Sequence, residues 1–196
     1  MSETHLDRLR AALRTRQPRE WNERGIERAA VAIIVAQRGL ALELLLIRRA
    51  ERSGDVWSGH MAFPGGKWSP DDATLLATAI RETQEEVGLD LAAAELLGQL
   101  DDARPGSQLL PRIGVRPFAF HLEEAAEPIH SPEVAESVWV PLELLRAPGT
   151  FTETVIALPG GPRRFPAYVI GPHVVWGLTE RILSPLLGLV FRDLPQ

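Results

Sequence analysis

The segment that most constrains the fold is a helix that carries three glutamates. Residues 73–87 contain neither Gly nor Pro and are rich in helix-forming residues, so they predict one continuous helix. A Pro-Asp-Asp start at residues 70–72 suits a helix N-terminus, and Gly88 can end the helix in a left-handed conformation. The chain is therefore expected to place a glycine-rich loop, a helix and a second loop in direct succession.

The three glutamates lie on one face of this helix. Glu82, Glu85 and Glu86 are spaced i, i+3 and i+4, so their carboxylates project together. Like charges at this spacing cost a helix about 0.2–0.5 kcal/mol per pair, and Arg81 offsets only part of that cost. Oxygen ligands suit Mg²⁺, whose usual substrate partner is a phosphate chain. The face predicts a metal site, and the alternative is an acidic face in contact with solvent.

The segment resembles the signature box of the Nudix hydrolases, which reads Gly, five residues, Glu, seven residues, Arg-Glu-aliphatic-x-Glu-Glu-x-Gly-aliphatic. The second half agrees at Arg81, Glu82, Glu85, Glu86, Gly88 and Leu89. The first half departs from the box, because Ala73 stands where the box has its first Glu. Gly66 also lies one residue farther from Arg81, which leaves Asp72 as the nearest acid, and Thr83 replaces an aliphatic residue.

The resemblance implies an α/β fold, a Nudix-type α/β/α sandwich with a central mixed β-sheet. It implies Mg²⁺ (or Mn²⁺) held by Glu82, Glu85 and Glu86. The implied catalytic residues are Glu85, Glu86 and Arg81, with Arg81 orienting the carboxylates. The general base stays open among Glu85, Glu86, Glu133 and Glu136.

Two further stretches are similar to the coenzyme A pyrophosphatases within this family. They are Leu45–Ala50, where Ile47 replaces a Thr of that pattern, and Gly59–Gly66. Residues 132–142 and 175–179 are also similar to that subgroup. The resemblance implies cleavage of coenzyme A or an acyl-CoA to 3′,5′-ADP and (acyl-)4′-phosphopantetheine. The alternatives are ADP-ribose, NADH or dinucleoside polyphosphates as substrates, or a non-catalytic nucleotide-binding module.

Arg49, Gly65 and Gly66 are the expected substrate-binding residues. Arg49 holds the motif position from which a guanidinium would stabilise charge on a phosphate. The two glycines would let main-chain amides approach the metal site or a phosphate. The alternatives are an exposed charge at the end of a strand and a simple tight turn.

Aromatic and basic residues near this site are expected to have ordinary structural roles. Trp57 and Trp68 flank the site and could stack on an adenine, but Trp more often anchors a loop or core. His60 and the other histidines have no paired spacing typical of a metal site. Arg163 and Arg164 are expected at a solvated hairpin tip.

Composition excludes several classes of protein. The chain has 196 residues, 45% of them hydrophobic, which fits one globular domain with a sizeable core. A formal net charge of −5 argues against binding to nucleic acid. There are no cysteines, and no apolar run reaches the roughly 18 residues that a membrane span needs. The start lacks the apolar core of a signal peptide, so we expect a cytoplasmic protein. The resemblance to the Nudix hydrolases implies that its partner is a small nucleoside diphosphate derivative.

The chain is expected to divide into an N-terminal helix and linker, residues 1–27, and a Nudix domain, residues 28–196. The helix follows from the helical spacing of Leu6, Leu9 and Leu13 and would serve docking or a homodimer contact. Trp21 falls in the irregular linker. The remaining expectations are a central hairpin at 29–36 and 40–47, strands at 96–100, 113–121 (near an edge because of Pro117), 137–142, 151–158 and 165–170, and a closing helix at 174–189.

Overall fold

In this computed structural model the chain is an α/β/α sandwich, and the structure describes residues 3–21, 23, 25–55, 57–106, 110–158 and 160–191. A mixed sheet lies between helix α2 on one face and helices α1 and α4 on the other. The elements are α1 (His5–Thr15), β1 (Glu27–Arg38), β2 (Ala41–Arg49), β3 (Met61–Ala62), β4 (Gly65–Lys67), α2 (Leu75–Val87), β5 (Glu95–Gln99), β6 (Ile113–Leu122), β7 (Val134–Pro141), α3 (Leu142–Leu145), β8 (Phe151–Ile156), β9 (Arg163–Ile170), β10 (His173–Trp176) and α4 (Gly177–Val190). This confirms the expected fold class.

Strand β1 is the centre of the sheet, as the apolar hairpin predicted. It pairs antiparallel with β2 and parallel with β6, and the order along the sheet is β3-β2-β1-β6-β5. Ala32 and Ile34 face the core beneath α2, whereas Ile33 and Val35 face the core beneath α1 and α4. A strand that is buried on both faces needs this nearly continuous apolar sequence.

The strand with Pro117 lies near an edge of the sheet, as expected, but it is not itself the edge strand. Strand β6 lies between β1 and β5. The carbonyl of Pro117 accepts a hydrogen bond from the Leu100 N–H at 3.0 Å, just beyond the end of β5. Since the N and C=O of one strand residue point the same way, the missing proline N–H faces this point, where the β5 ladder has stopped.

The C-terminal region begins with a strand where a helix was expected. Residues His173–Trp176 form β10, which pairs with β9 in a second, three-stranded sheet completed by β8. The helix begins only at Gly177, whose φ of 67° makes the break between the two elements. The predicted hairpin of β8 and β9 is confirmed; Pro159 at its tip lies outside the described residues.

Helix α1 packs against its own chain. Leu9 is fully buried and Leu13 is 4% exposed. The Arg10 guanidinium holds the Glu95 carboxylate through two hydrogen bonds of 2.7 Å. The apolar face of α1 is therefore used within the domain, while the boundary at residue 27 and the homodimer contact stay predictions. None of the four helices that the structure describes has the length and apolar character of a bilayer-crossing helix.

Candidate active site

Helix α2 begins two residues later than the sequence predicted. The Thr74 side chain caps it by accepting a hydrogen bond from the Ala77 N–H at 3.1 Å. Asp72 belongs instead to the preceding turn, in which its N–H bonds the Ser69 carbonyl at 2.9 Å. Gly88 ends the helix with a φ of 69°, as predicted. The opposite face of α2 packs on the sheet, and the face that carries the glutamates lies next to β4.

Asp72 holds Arg81 in place. The Asp72 carboxylate accepts hydrogen bonds from Nε and Nη2 of Arg81, both at 2.8 Å, and one from the Thr78 hydroxyl at 2.9 Å. Chiefly because of the Arg81 hydrogen bonds, the pKa of Asp72 lies far below its usual range. The acid that the sequence left as nearest to the missing first glutamate is thus a buried partner of the arginine.

Arg81 in turn contacts two of the three glutamates. Its Nη1 lies 2.8 Å from Oε1 of Glu82 and 2.9 Å from Oε2 of Glu85. Glu82 packs directly against Gly66, at a place that a Cβ atom would occupy. The guanidinium therefore fixes the directions of both carboxylates, which is the role of a positioning residue.

Glu86 is the most buried of the three glutamates. Its residue is 3% exposed, and its Oε2 accepts a hydrogen bond from the Gly65 N–H at 2.8 Å. Burial raises the pKa of Glu86 to about 7, against the opposing effects of the Gly65 N–H and the positive charge of Arg49. Burial also raises the pKa of Glu82.

Gly65 and Gly66 lie in a strand, not in the loop that the sequence suggested. Both belong to β4, which pairs antiparallel with β1 at Val31 and Ala30. Because the Gly65 N–H is already engaged by Glu86, its function in this structure is to position that carboxylate. The pairing with the central strand fixes this contact relative to the sheet.

Arg49 lies beside Glu86 at the end of β2. Its charge is among the causes that act on the pKa of Glu86, and its Nη2 donates a hydrogen bond to Asp55 at 2.9 Å. Among the described residues, no partner accepts a hydrogen bond from its buried Nε. A buried donor without a partner costs free energy, so a ligand oxygen that reaches Nε would be stabilised.

Glu133 and Glu136, both candidate bases, have different surroundings. The negative charge of Glu133 contributes to the raised pKa values of Glu82 and Glu86, so it lies close to them. Glu136 is paired with Arg48 at 3.2 Å, whereas Glu133 is paired with Arg52 at 3.3 Å. The candidate proton acceptors therefore stay Glu85, Glu86, Glu133 and Glu136.

The donor set fits a hard divalent cation. Within the described residues no three carboxylates already surround one common point. Glu82 and Glu85 do converge on one cationic atom, Nη1 of Arg81. Three carboxylates with no nitrogen or sulfur ligand are the chemistry that Mg²⁺ and Mn²⁺ prefer.

The other sequence candidates do not join this cluster. His60 packs against the Trp176 ring, with ring centroids 4.7 Å apart, and burial lowers its pKa. The Trp68 indole N–H donates to the Asp72 carbonyl at 3.0 Å and so anchors the turn before α2. Arg163 and Arg164 are exposed on the β8–β9 hairpin.

The raised pKa of Glu86 predicts a pH-dependent stability in the absence of metal. Its folded-state pKa of about 7 exceeds the ordinary value of 4.5, so the folded protein holds more protons between these values. The stability from this group is complete at low pH and is lost as the pH rises through 7. The free energy of unfolding of Glu86→Gln, measured by urea unfolding in the presence of a chelator, is compared with that of wild type at pH 5 and at pH 8. We expect the difference in favour of the variant to grow by roughly 1–3 kcal/mol from pH 5 to pH 8. An equal difference at both pH values would contradict this origin of the shift.

Comparisons with known proteins agree with this geometry. The model of the NUDIX domain matches residues 26–156. NudL of Yersinia enterocolitica, an uncharacterized Nudix hydrolase, is 36% identical over 148 residues, which are 73% of this chain and 71% of NudL. NudL of Cronobacter sakazakii is 31% identical over 186 residues, 92% of either chain.

A similar fold occurs among solved structures. The MutT/nudix family protein from Enterococcus faecalis superimposes with a TM-score of 0.56 at 17% identity, over 87% of this chain and 63% of that chain. At this identity the likeness supports the fold alone. From the domain match, the relatives and the box of α2 together, the chain belongs to the Nudix hydrolase family of pyrophosphohydrolases.

Proposed function

We propose that the protein is a metal-dependent hydrolase that cleaves the pyrophosphate bond of a nucleoside diphosphate derivative, with coenzyme A or an acyl-CoA as the first candidate. The observation that carries the proposal is the position of Arg49 beside Glu86, with a buried Nε that no described residue satisfies. A phosphate oxygen satisfies such a donor and is attracted by its charge. The carboxylates for metal and the cation for phosphate are thus neighbours.

Each residue of the candidate site has a distinct role in the proposed reaction. Glu82, Glu85 and Glu86 would hold Mg²⁺ or Mn²⁺, and when bound the metal supplies charge neutralisation on phosphate and a more acidic water. Arg81, fixed by Asp72, keeps the carboxylates directed towards β4. Arg49 binds a phosphate oxygen and stabilises the charge that develops there during cleavage.

Coenzyme A is favoured by the sequence around Arg49. The stretch Leu45–Ala50 and the stretch ending in Gly65-Gly66 are similar to the coenzyme A pyrophosphatases. In the structure these two stretches meet, since β2 carries Arg49 and Gly65 contacts Glu86. The subgroup motif therefore lies at the proposed site of the diphosphate.

A substrate panel tests the proposal. Wild type and Glu85→Gln are incubated with Mg²⁺ and with coenzyme A, ADP-ribose, NADH, dinucleoside polyphosphates or nucleoside triphosphates, and products are identified by mass spectrometry. We expect wild type alone to release 3′,5′-ADP and 4′-phosphopantetheine from coenzyme A. If only another compound of the panel is cleaved, coenzyme A is excluded as the substrate, whereas the proposed hydrolysis of a diphosphate stands. Binding without cleavage of any member would instead favour a nucleotide-binding module.

A further inference from the structure

A cleft lies at the end of the sheet, outside the carboxylate cluster. Its volume is about 680 Å³, within the range of small-molecule sites. Its walls include Trp21 and Ile26 from the segment before β1, Arg104 from the segment before β6, and Arg181 from α4. A smaller cavity of about 200 Å³ adjoins it and shares Trp21, Arg104 and Arg181. We call the pair the Trp21 cleft.

The Trp21 cleft carries uncompensated positive charge. Among the described residues, no carboxylate lies within 4.0 Å of the guanidinium of Arg104 or Arg181. Arg104 stacks on the Trp21 ring at 3.8 Å, and Arg181 lies against Gly106, where an added Cβ would come within 2.8 Å of its Nη1. Two arginines that share one cleft without anionic partners favour an anionic ligand.

The acidic residues at the cleft are already paired. Asp102 accepts two hydrogen bonds from Arg116, at 2.7 and 2.8 Å, and a third from the backbone N–H of Trp21 at 2.7 Å. Glu23 lies 3.9 Å from Arg112. These carboxylates therefore do not cancel the charges of Arg104 and Arg181.

Trp21 adds an aromatic surface to this charge. Its backbone is fixed by Asp102, and its Cβ lies 3.9 Å from the Cβ position of Gly114 on β6. An indole ring and a guanidinium plane both stack on planar aromatic groups. An anion with an aromatic base uses both features, whereas inorganic phosphate alone leaves the indole unused.

The Trp21 cleft lies at the same end of β1 as the carboxylates of α2. Ile26 in the cleft precedes β1, which pairs with β4 at Ala30 and Gly66, and Gly66 contacts Glu82. The four residues from Ile26 to Ala30 span about 13 Å of extended chain. The cleft therefore begins next to the segment of β1 that pairs with the strand contacting Glu82.

We propose that the Trp21 cleft binds the nucleoside arm of the substrate, and that this arm carries a phosphomonoester of its own, held by Arg104 and Arg181. The proposal rests on the hydrolysis of a nucleoside diphosphate derivative proposed above. The diphosphate is assigned to Arg49 and the carboxylates of α2, so the charge in the cleft serves a second phosphate. Trp21 and the Arg104 plane accommodate the base.

Calorimetric binding in a chelator tests this assignment without turnover. Adenosine 3′,5′-bisphosphate and adenosine 5′-monophosphate are titrated into wild type, and we expect the bisphosphate to bind at least about tenfold more tightly. Arg104→Gln combined with Arg181→Gln should remove this preference. Arg163→Gln, at the exposed hairpin, is the matched control and should retain it. An equal affinity of wild type for both nucleotides, or a preference that survives in the double variant, would overturn the proposal.

Substitutions of the indole test the aromatic part. Trp21→Leu should weaken binding of the bisphosphate roughly tenfold, whereas Trp21→Phe keeps a stacking ring and should bind nearly as wild type. Equal binding by both variants would exclude stacking on residue 21. The binding results are independent of the substrate panel. Cleavage of coenzyme A without tighter binding of the bisphosphate would contradict only the assignment of the cleft. Tighter binding of the bisphosphate without any cleavage would contradict only the proposed hydrolysis.

Discussion

Glu85→Gln and Glu86→Gln are each expected to reduce turnover on the order of 10³-fold while the protein stays folded. Either change removes one negative ligand from the set of three on α2. A glutamine at position 86 can still accept the Gly65 N–H, and Glu85 has a side chain that is 59% exposed, so neither change disrupts packing. Steady-state turnover of the substrate found in the panel, measured with saturating Mg²⁺, gives the effect.

The control for these variants is Glu153→Gln. Glu153 lies on β8, with a side chain 69% exposed and its nearest cation, Arg164, 3.9 Å away. The variant makes the same chemical change far from α2 and should retain wild-type turnover. Wild-type turnover in Glu85→Gln and Glu86→Gln would remove the metal role of these glutamates.

Gly65→Ala is expected to destabilise the fold strongly. A Cβ at this position would collide with the Ala30 carbonyl and would lie 2.6 Å from the Cα of Val31, and the backbone φ of 148° is one that side chains rarely adopt. Because the contacts are with backbone of the central strand, they cannot be relieved by rotating a side chain. Strain and overpacking each cost about 1–3 kcal/mol, so we expect a loss of roughly 2–6 kcal/mol in the free energy of unfolding.

Gly66→Ala is the matched variant one residue later. The three atoms nearest to its added Cβ all belong to the carboxylate end of Glu82, which can rotate away. We therefore expect a stability within about 1 kcal/mol of wild type together with a marked loss of turnover, because the proposed metal ligand Glu82 is displaced. Urea unfolding and turnover of both variants separate the two effects. Similar unfolding midpoints for the two variants would contradict the different environments assigned to these glycines.

The sequence predicted helix α2 and its glutamate face well because the signals are local. Gly88 marks the helix end, and the spacing of the three glutamates places them on one face whatever the rest of the fold does. The start of the helix was misplaced because Asp72 is a good N-cap residue, yet Arg81 engages its side chain. That contact spans nine residues and depends on the turn between β4 and α2.

Elsewhere the outcome depended on pairing between distant strands. Pro117 predicted a strand near an edge because its missing N–H has no place in a complete ladder, and the neighbouring β5 ends before reaching it. The two valines of β10 fit either a strand or a buried helix, and only pairing with β9 decides between them.

The Trp21 cleft could not be predicted from the sequence. The local pattern places Trp21 in a linker and makes Arg181 one charge on a C-terminal helix. The fold brings them together with Arg104 across three separate segments of the chain. Arg104 and Arg181 are 77 positions apart, and no pattern of sequence spacing relates residues at such a separation.

Binding of Mn²⁺, followed by electron paramagnetic resonance, tests most directly whether the carboxylates of α2 form the metal site. We expect wild type and Glu153→Gln to bind Mn²⁺ with equal affinity, and Glu82→Gln, Glu85→Gln and Glu86→Gln each to bind at least about tenfold more weakly. Wild-type affinity in all three glutamate variants would contradict the central claim, because the metal would then be held elsewhere.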